Sequence, residues 1–276
     1  MGARLLFIGP GNFTKRGYMQ WIVQNASYNN DNFQGLINAL DAGRRDYQRV
    51  DVIPFSHELI PVPVVTNPCV IMGTNSLIRL SKKYDWSPGA WFKEDVRFEE
   101  WLKHYGEHLV NYDATICRFA DADFEGMAFI RPCEDLKQFS GMEMEGRNFA
   151  LWRDMTIEEN SMTGEALSPD MMVLVAPLKN INGEFRLFVV DGEVVAHSQY
   201  RVANRILPQP TVPDGVLTYA KEIIDLWQPD KAYVLDIAEL ENEYKVLEIN
   251  CLNSSGFYAA DPKQVVDAIE VMLSNP

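Results

Sequence analysis

The run Tyr233-Val-Leu-Asp-Ile-Ala-Glu-Leu-Glu-Asn-Glu-Tyr-Lys-Val-Leu-Glu-Ile-Asn250 places acids at positions where a hairpin would bring them together. If the turn centres on Asn242, Asp236 stands opposite Glu248 across an antiparallel ladder. Alternation then sends Leu235, Ile237, Leu247 and Ile249 to one face, and Asp236, Glu248 and Asn250 to the other. Two carboxylates with Cβ atoms about 5 Å apart repel, so either water solvates them or a cation or shared proton compensates. Asp, Glu and an Asn carbonyl are hard oxygen donors suited to Mg²⁺, which takes one or two carboxylates and completes its shell with phosphate oxygens. On spacing alone, a wet hairpin face competes evenly with the metal site. Under either reading, neutralising Asp236 or Glu248 should leave the fold intact or firmer, because a repulsion is relieved.

Cations precede this hairpin. Phe129-Ile-Arg131-Pro132 ends a strand on a guanidinium; Lys137, the small pair Ser140-Gly141, Lys179, Glu184 and Arg186 come after it. Each cation taken singly is ordinarily a solvated charge. Together, ahead of an acid-rich hairpin in an acidic chain, they suit a nucleoside triphosphate with its metal. Other chemistries find less support. Gly9-Pro10-Gly11 lacks the third glycine of a dinucleotide fingerprint and reads as a strand exit. His104 and His108 share a helical face but have no third ligand, and Glu100 and Glu107 beside them mark a solvated surface. No serine or cysteine sits in a nucleophile signature.

The positioning elements emerge from periodicity. The 276 residues are 47% hydrophobic and 23% charged, which excludes disordered and fibrous classes and leaves one multi-lobed unit or two domains. Lys and Arg number 25 against 39 Asp and Glu, a net charge of −14 that disfavours non-specific nucleic-acid binding and charge-driven attachment to membranes. The four cysteines are widely spaced, no apolar run is long enough for a membrane span, and the N-terminus does not read as a signal peptide; a cytoplasmic protein is expected. A strand at 4–9, a helix carrying Phe33, Leu36, Ile37 and Leu40 and stopped at Gly43, and strands at 50–55 and 69–72 describe an α/β beginning. Phe98, Trp101, Leu102 and Tyr105 mark another helix. From 115 the pattern turns β-rich, with strands expected at 115–119, 127–131, 149–153, 171–176, 185–190 and 194–200. Asp191-Gly192 is a type I′ hairpin signal. A helix carrying Ala220, Ile223 and Ile224, strands at 232–238 and 244–251 and a helix at 262–273 close the chain.

Phe129-Ile-Arg-Pro, Lys137-Gln-Phe-Ser-Gly141, Val173-Leu-Val-Ala-Pro-Leu-Lys-Asn-Ile-Asn-Gly-Glu-Phe-Arg186, Val234-Leu-Asp-Ile and Leu247-Glu-Ile-Asn-Cys-Leu-Asn-Ser-Ser-Gly256 resemble the ordered motifs of the ATP-grasp superfamily. The nearest resemblance is to its bacterial and phage clade named for two arginines and a lysine. It implies an α/β (α+β) fold with a pre-ATP-grasp α/β domain over 1–113 and an ATP-grasp domain over 114–276. The latter would comprise a β-rich lid to about 175 and a C-terminal antiparallel-sheet lobe from about 176.

The resemblance implies that Arg131 and Lys137 hold triphosphate oxygens, Ser140-Gly141 closing beside them. Arg131-Pro132 stands where many ATP-grasp enzymes carry Lys-Pro, so the α-phosphate contact falls to Arg131 or to Lys137. Val173, Val175, Ala176 and Leu178 form the edge that reads adenine, with Lys179 flanking; Glu184 meets the ribose hydroxyls and Arg186 points at phosphate. Asp236, Glu248 and Asn250 match the ligands of two Mg²⁺ ions. Asn253, Ser254, Ser255 and Gly256 lie where relatives bind the carboxylate substrate, with Arg201 as an anion clamp. The implied activity is ATP-dependent ligation of a carboxylate to an amine through an acyl phosphate. A catalytically idle nucleotide-binding module and a phosphoryl transferase, including one modifying nucleic acid, are the alternatives on this fold. A homodimer is compatible with all three, and loop 154–169 is expected to help shape the acceptor pocket.

Overall fold

The computed structural model describes residues 19–25, 30–54, 56, 58–91, 97–134, 139–163, 167–241 and 243–274. The strand expected at 4–9, Gly9 to Gly11, Lys137 and Asn242 lie outside them. The first layer comprises β1 (Gln20–Gln24), α1 (Asn30–Ala42), β2 (Asp46–Ile53), β3 (Glu58–Ile60), β4 (Cys69–Met72), α2 (Asn75–Lys83) and β5 (Pro88–Gly89). Its sheet order is β3-β2-β1-β4-β5, with β1 parallel to β2 and β4 and β3 antiparallel at the edge. The apolar run Cys69–Met72 is buried throughout because both faces of β4 are covered, as in parallel sheets generally. Ile22, Ile71, Leu77 and Leu80 pack on the α2 side; Trp21, Val23, Val70, Leu36 and Leu40 pack on the other.

After α3 (Phe98–Tyr105) come β6 (Thr115–Arg118), β7 (Met127–Pro132), β8 (Met142–Glu145), α4 (Gly146–Thr163) and β9 (Met172–Pro177). These strands make an antiparallel sheet in the order β6-β9-β7-β8. The segment 149–153, expected to be a strand, lies in α4, as does the first part of loop 154–169. Phe149 and Trp152, three residues apart on one helical face, join Phe119 and Phe139 in an aromatic core beneath the sheet. Leu151 and Met155 are exposed, so apolar residues occur on both sides of the helix and hide its stripe.

The third layer is β10 (Gly183–Val190), β11 (Glu193–Val202), β12 (Arg205–Gln209), α5 (Asp214–Leu226), β13 (Ala232–Glu239), β14 (Tyr244–Asn250) and α6 (Pro262–Ser274). Its antiparallel order is β12-β11-β10-β13-β14. Asp191 and Gly192 join β10 to β11 with φ of 52° and 81°, the paired positive values of a type I′ turn. Phe185, Leu187, Leu235 and Ile237 face a core closed by α3 and α5, while Phe188, Val190 and Val234 face α1, α6 and the first sheet. Thus α3 packs on the last sheet although it precedes the middle one.

Asn253 ties the first and third layers: its Nδ2 donates to the Ile71 carbonyl at 2.7 Å, and its Oδ1 accepts from the Trp91 backbone N–H at 3.0 Å. Its own carbonyl accepts from Gly73 N–H at 2.9 Å. No described helix is long and apolar enough to cross a membrane. The four cysteines are free thiols; burial pushes Cys69 up to about 11 and, with the charge of Glu99, Cys133 up to about 12.

Candidate active site

On the face of the third sheet shared with α1 and α6, the apolar sequence Phe188, Val190 and Val234 gives way to Arg186 and Asp236. Arg186 stands directly opposite Asp236 in the β10–β13 register, and Asp236 directly opposite Glu248 in the β13–β14 register. Here the sheet opens onto a cleft of about 620 Å³ beneath β7, β8 and β9. Arg131, Ser140, Gly141, Leu178, Lys179, Glu184, Arg186, Arg201, Asp236 and Glu248 all line it. Residues distant in the sequence are therefore brought to one chamber by separate sheets.

Asp236 is buried to 1% exposure and is held by a two-pronged guanidinium: Arg186 Nε donates to Oδ1 at 2.9 Å and Nη2 to Oδ2 at 2.7 Å. Arg186 Nη1 also donates to the Gly256 carbonyl at 3.2 Å. Burial alone would lower the Arg186 pKa, but the charge and hydrogen bonds of Asp236 outweigh it and hold the guanidinium above its ordinary range. Burial raises the Asp236 carboxyl against the pull of Arg186, and Glu248 and Glu184 push it further up. The sequence reading asks for water, a cation or a shared proton to offset the facing acids; Arg186, on the neighbouring strand, is a cation that compensates the buried Asp236. Glu248 has its own cation, Arg131 Nη1 at 3.3 Å from Oε1, a pair that joins β7 of the middle sheet to β14 of the third. The Arg131 guanidinium carbon lies 5.4 Å from the Trp101 ring centre.

Asn250 Nδ2 donates to Asp236 at 3.1 Å and to Glu248 at 3.3 Å, completing the expected trio. No cluster of three or more His, Cys, Asp and Glu among the described residues could hold a metal. A cation here would therefore take two carboxylates and require further oxygens from a ligand, a donor set that fits Mg²⁺ with a phosphate chain and not zinc.

Lys179 Nζ pairs with Asp113 at 2.5 Å and lies 5.8 Å from the Tyr112 ring centre. Glu184 is 3.3 Å from Arg201 Nε. Val173, Val175 and Ala176 are in β9, between β6 and β7; the ladder to β6 stops at Val175, and it is Pro177, Leu178 and Lys179 beyond it that line the cleft. Asn253 is fully buried in the interlayer joint, and Ser255 is buried with its hydroxyl donating to the Cys251 carbonyl at 2.7 Å. Neither side chain lines the cleft, nor does that of Ser254; Gly256 contributes its carbonyl to Arg186. His104 stacks on Trp227 with ring centres 4.3 Å apart, whereas His108 contacts Tyr219, so the two histidines serve packing separately.

Alternation missed Tyr200 and Leu247 because their strands depart from it, and Tyr258 because it lies in a turn outside any strand. The β10–β11 register shifts so that Tyr200 is extra between Gln199 and Arg201, and both Tyr200 and Arg201 line the cleft. The β13–β14 register shifts at Leu247: Val246 fills the core place opposite Ile237, and Leu247, expected in the core, lines the cleft beside Glu248. Tyr258 is the third, at φ 53°.

The fold has structural counterparts across almost its whole length. D-cycloserine synthetase DcsG is 10% identical with a TM-score of 0.58, over 92% of this chain and 99% of that one. The D-alanine–D-alanine ligase of Bacillus anthracis, solved with ATP, is 11% identical with a TM-score of 0.56, over 92% and 97%. The ATP-grasp ligase PsnB, solved with a minimal precursor, is 14% identical with a TM-score of 0.54, over 92% and 98%. These place the fold in the ATP-grasp class. The model of the ATP-grasp domain family 2, from the clade named for two arginines and a lysine, matches residues 113–268, and the chain belongs to that family. No curated protein sequence matches it.

Proposed function

We propose that this protein is an ATP-dependent ligase that joins a carboxylate to an amine, using Mg²⁺. The observation that carries the reading is the convergence, in one cleft of an ATP-grasp domain, of Arg131, Arg186 and the facing acids Asp236 and Glu248. In this reading residues 1–113 form the pre-ATP-grasp domain and 114–276 the ATP-grasp domain, with a lid to about 175 and the C-terminal lobe beyond it. The ligase names of the fold neighbours agree with the activity.

Adenine lies along Pro177 to Lys179, Glu184 accepts from the ribose hydroxyls, and Arg131 with Lys137 holds the triphosphate. Asp236, Glu248 and Asn250 are the residues that would hold Mg²⁺, which when bound neutralises phosphate charge and orients the γ-phosphoryl group. A substrate carboxylate oxygen attacks the γ-phosphorus, and the bond to the bridging oxygen breaks with its electron pair leaving on ADP. The amine then adds to the acyl phosphate carbon, loses a proton and expels inorganic phosphate. Such a transfer needs positioning and charge neutralisation and no protein nucleophile, in keeping with a cleft of arginines and carboxylates. Arg186 and Arg201 face the transferred group and the substrate carboxylate, and the lid excludes water from the acyl phosphate.

The test is the thermal midpoint with a non-hydrolysable ATP analogue, with and without Mg²⁺. Saturation to about 100 times Kd stabilises a folded-state binder by ~2.7 kcal/mol. A Mg²⁺-dependent rise that Glu248→Gln abolishes supports the site, and ADP release that requires both a carboxylate and an amine supports the ligase. Binding without turnover over a carboxylate and amine panel would reduce the protein to a nucleotide-binding module, and ADP release driven by a hydroxyl acceptor would make it a phosphoryl transferase.

A further inference from the structure

Tyr258 occupies the left-handed region at φ 53°, a conformation that disfavours a bulky side chain, although Gly256 lies two residues earlier. The strain therefore falls on the residue whose ring lines the cleft. Its surroundings hold that backbone in place. Phe257 is fully buried and stacks on Phe188 with ring centres 5.0 Å apart, and Ala259 N–H donates to the buried Ser198 hydroxyl at 3.2 Å. Between these anchors the Tyr258 ring stacks on Tyr200 at 4.7 Å and 12°. The Arg186 guanidinium carbon lies 5.1 Å from the Tyr258 ring centre and 5.5 Å from that of Tyr200. Asp236 and the Gly256 carbonyl take three of the five N–H donors of Arg186. An arginine fixed at its edge by a carboxylate and against two rings has little freedom left, and Arg186 itself lines the cleft.

We propose that Tyr258 is a positioning residue that holds Arg186 in the orientation needed to meet the phosphoryl group as it is transferred. The proposal rests on the ATP-dependent reading of the cleft. Charge builds on the phosphoryl oxygens in the transition state, and fixed donors stabilise it without reorganising at that moment. The ring face performs this role, so the phenol hydroxyl is dispensable.

The experiment compares wild type with Tyr258→Phe, Tyr258→Leu and Tyr258→Gly. Calorimetry measures affinity for ADP with Mg²⁺, and for the same mixture with aluminium fluoride, which mimics the transferred phosphoryl group. Aluminium fluoride should tighten binding in wild type and Tyr258→Phe, and at least tenfold of that gain should disappear in Tyr258→Leu and Tyr258→Gly while ADP affinity moves by no more than about twofold. Tyr258→Gly relieves the φ strain, so its thermal midpoint should not fall with the lost gain; a structural role would move both together. If Tyr258→Leu or Tyr258→Gly keeps the gain, or if wild type binds ADP and shows no gain, the proposal is overturned. If wild type fails to bind ADP with Mg²⁺, the nucleotide reading itself falls and takes this one with it.

Discussion

Asp236 would be an expensive residue to bury without Arg186. A carboxylate at 1% exposure gains its tolerance from two charge-assisted hydrogen bonds, and removing either partner strands the other in a dry environment. Asp236→Leu and Arg186→Met should each lose about 3 kcal/mol of stability, whereas the double change should lose much less than their sum. Urea unfolding of the variants measures the coupling; additive losses would mean that the pair is solvated and independent. This is opposite in sign to what the hairpin alone suggests. The facing of Asp236 and Glu248 was expected from a turn centred on Asn242, but the pairs nearest the turn, Glu239 with Tyr244 through Ile237 with Val246, run one residue out of that register, and the extra Leu247 is what brings Glu248 opposite Asp236. The guanidinium behind them was not legible, since strand order β10-β13-β14 decides which residue lies beside Asp236, and no local pattern encodes strand order.

At the scale of elements, regular stretches were the readable ones. Phe185, Leu187, Leu235 and Ile237 keep to period two, α5 keeps to its 3.6-residue stripe, and the Asp191-Gly192 turn has the residues its dihedrals demand. The shifts at Tyr200 and Leu247 each insert one residue into a strand and re-aim the side chains beyond it, and single-strand patterning carries no sign of them. Likewise α4 was hidden by the exposed Leu151 and Met155. Helix α6 meets the start of β2 through Arg45, which bonds Asp267 and donates to Glu270 at 2.9 Å; Lys263 also reaches Asp267. Burial raises the Asp267 carboxyl, but Lys263 and Arg45 together outweigh it and hold it below the ordinary range. A lowered carboxyl stabilises the fold at pH values above its unfolded pKa and loses that contribution as pH falls through the folded one. Arg45→Met should therefore flatten the dependence of the melting temperature on pH between about 5 and 2, with the smallest difference from wild type at the acid end. An unaltered slope would show that this joint contributes nothing to acid sensitivity.

At the scale of the molecule, two of the three sheets line the cleft, and the three are not equally joined. The β6-β9-β7-β8 sheet has a separate aromatic core around Phe119, Phe149 and Trp152, and the Arg131–Glu248 pair crosses from it to the third sheet. That pair is partly exposed on the glutamate side, so salt should weaken it and, if the β6-β9-β7-β8 sheet closes the cleft as proposed, ease its opening. A faster association of the ATP analogue at about 0.5 M salt in wild type than in Arg131→Gln, each relative to its own low-salt rate, would reveal it in stopped-flow binding; identical ratios would count against such a latch.

The interlayer amide of Asn253 has the reverse effect. By engaging Ile71 and Trp91 from a residue just beyond β14, it should couple the first and third sheets so that they open to solvent as one cooperative unit. Native-state hydrogen exchange should then give the Trp91 amide an opening free energy close to those of β13 amides, with the amides of β6 to β9 exchanging at lower cost. Asn253→Ala should release Trp91 into the faster class. The floor of the cleft would thus keep time with the slowest motion of the protein, while its roof runs on a faster clock.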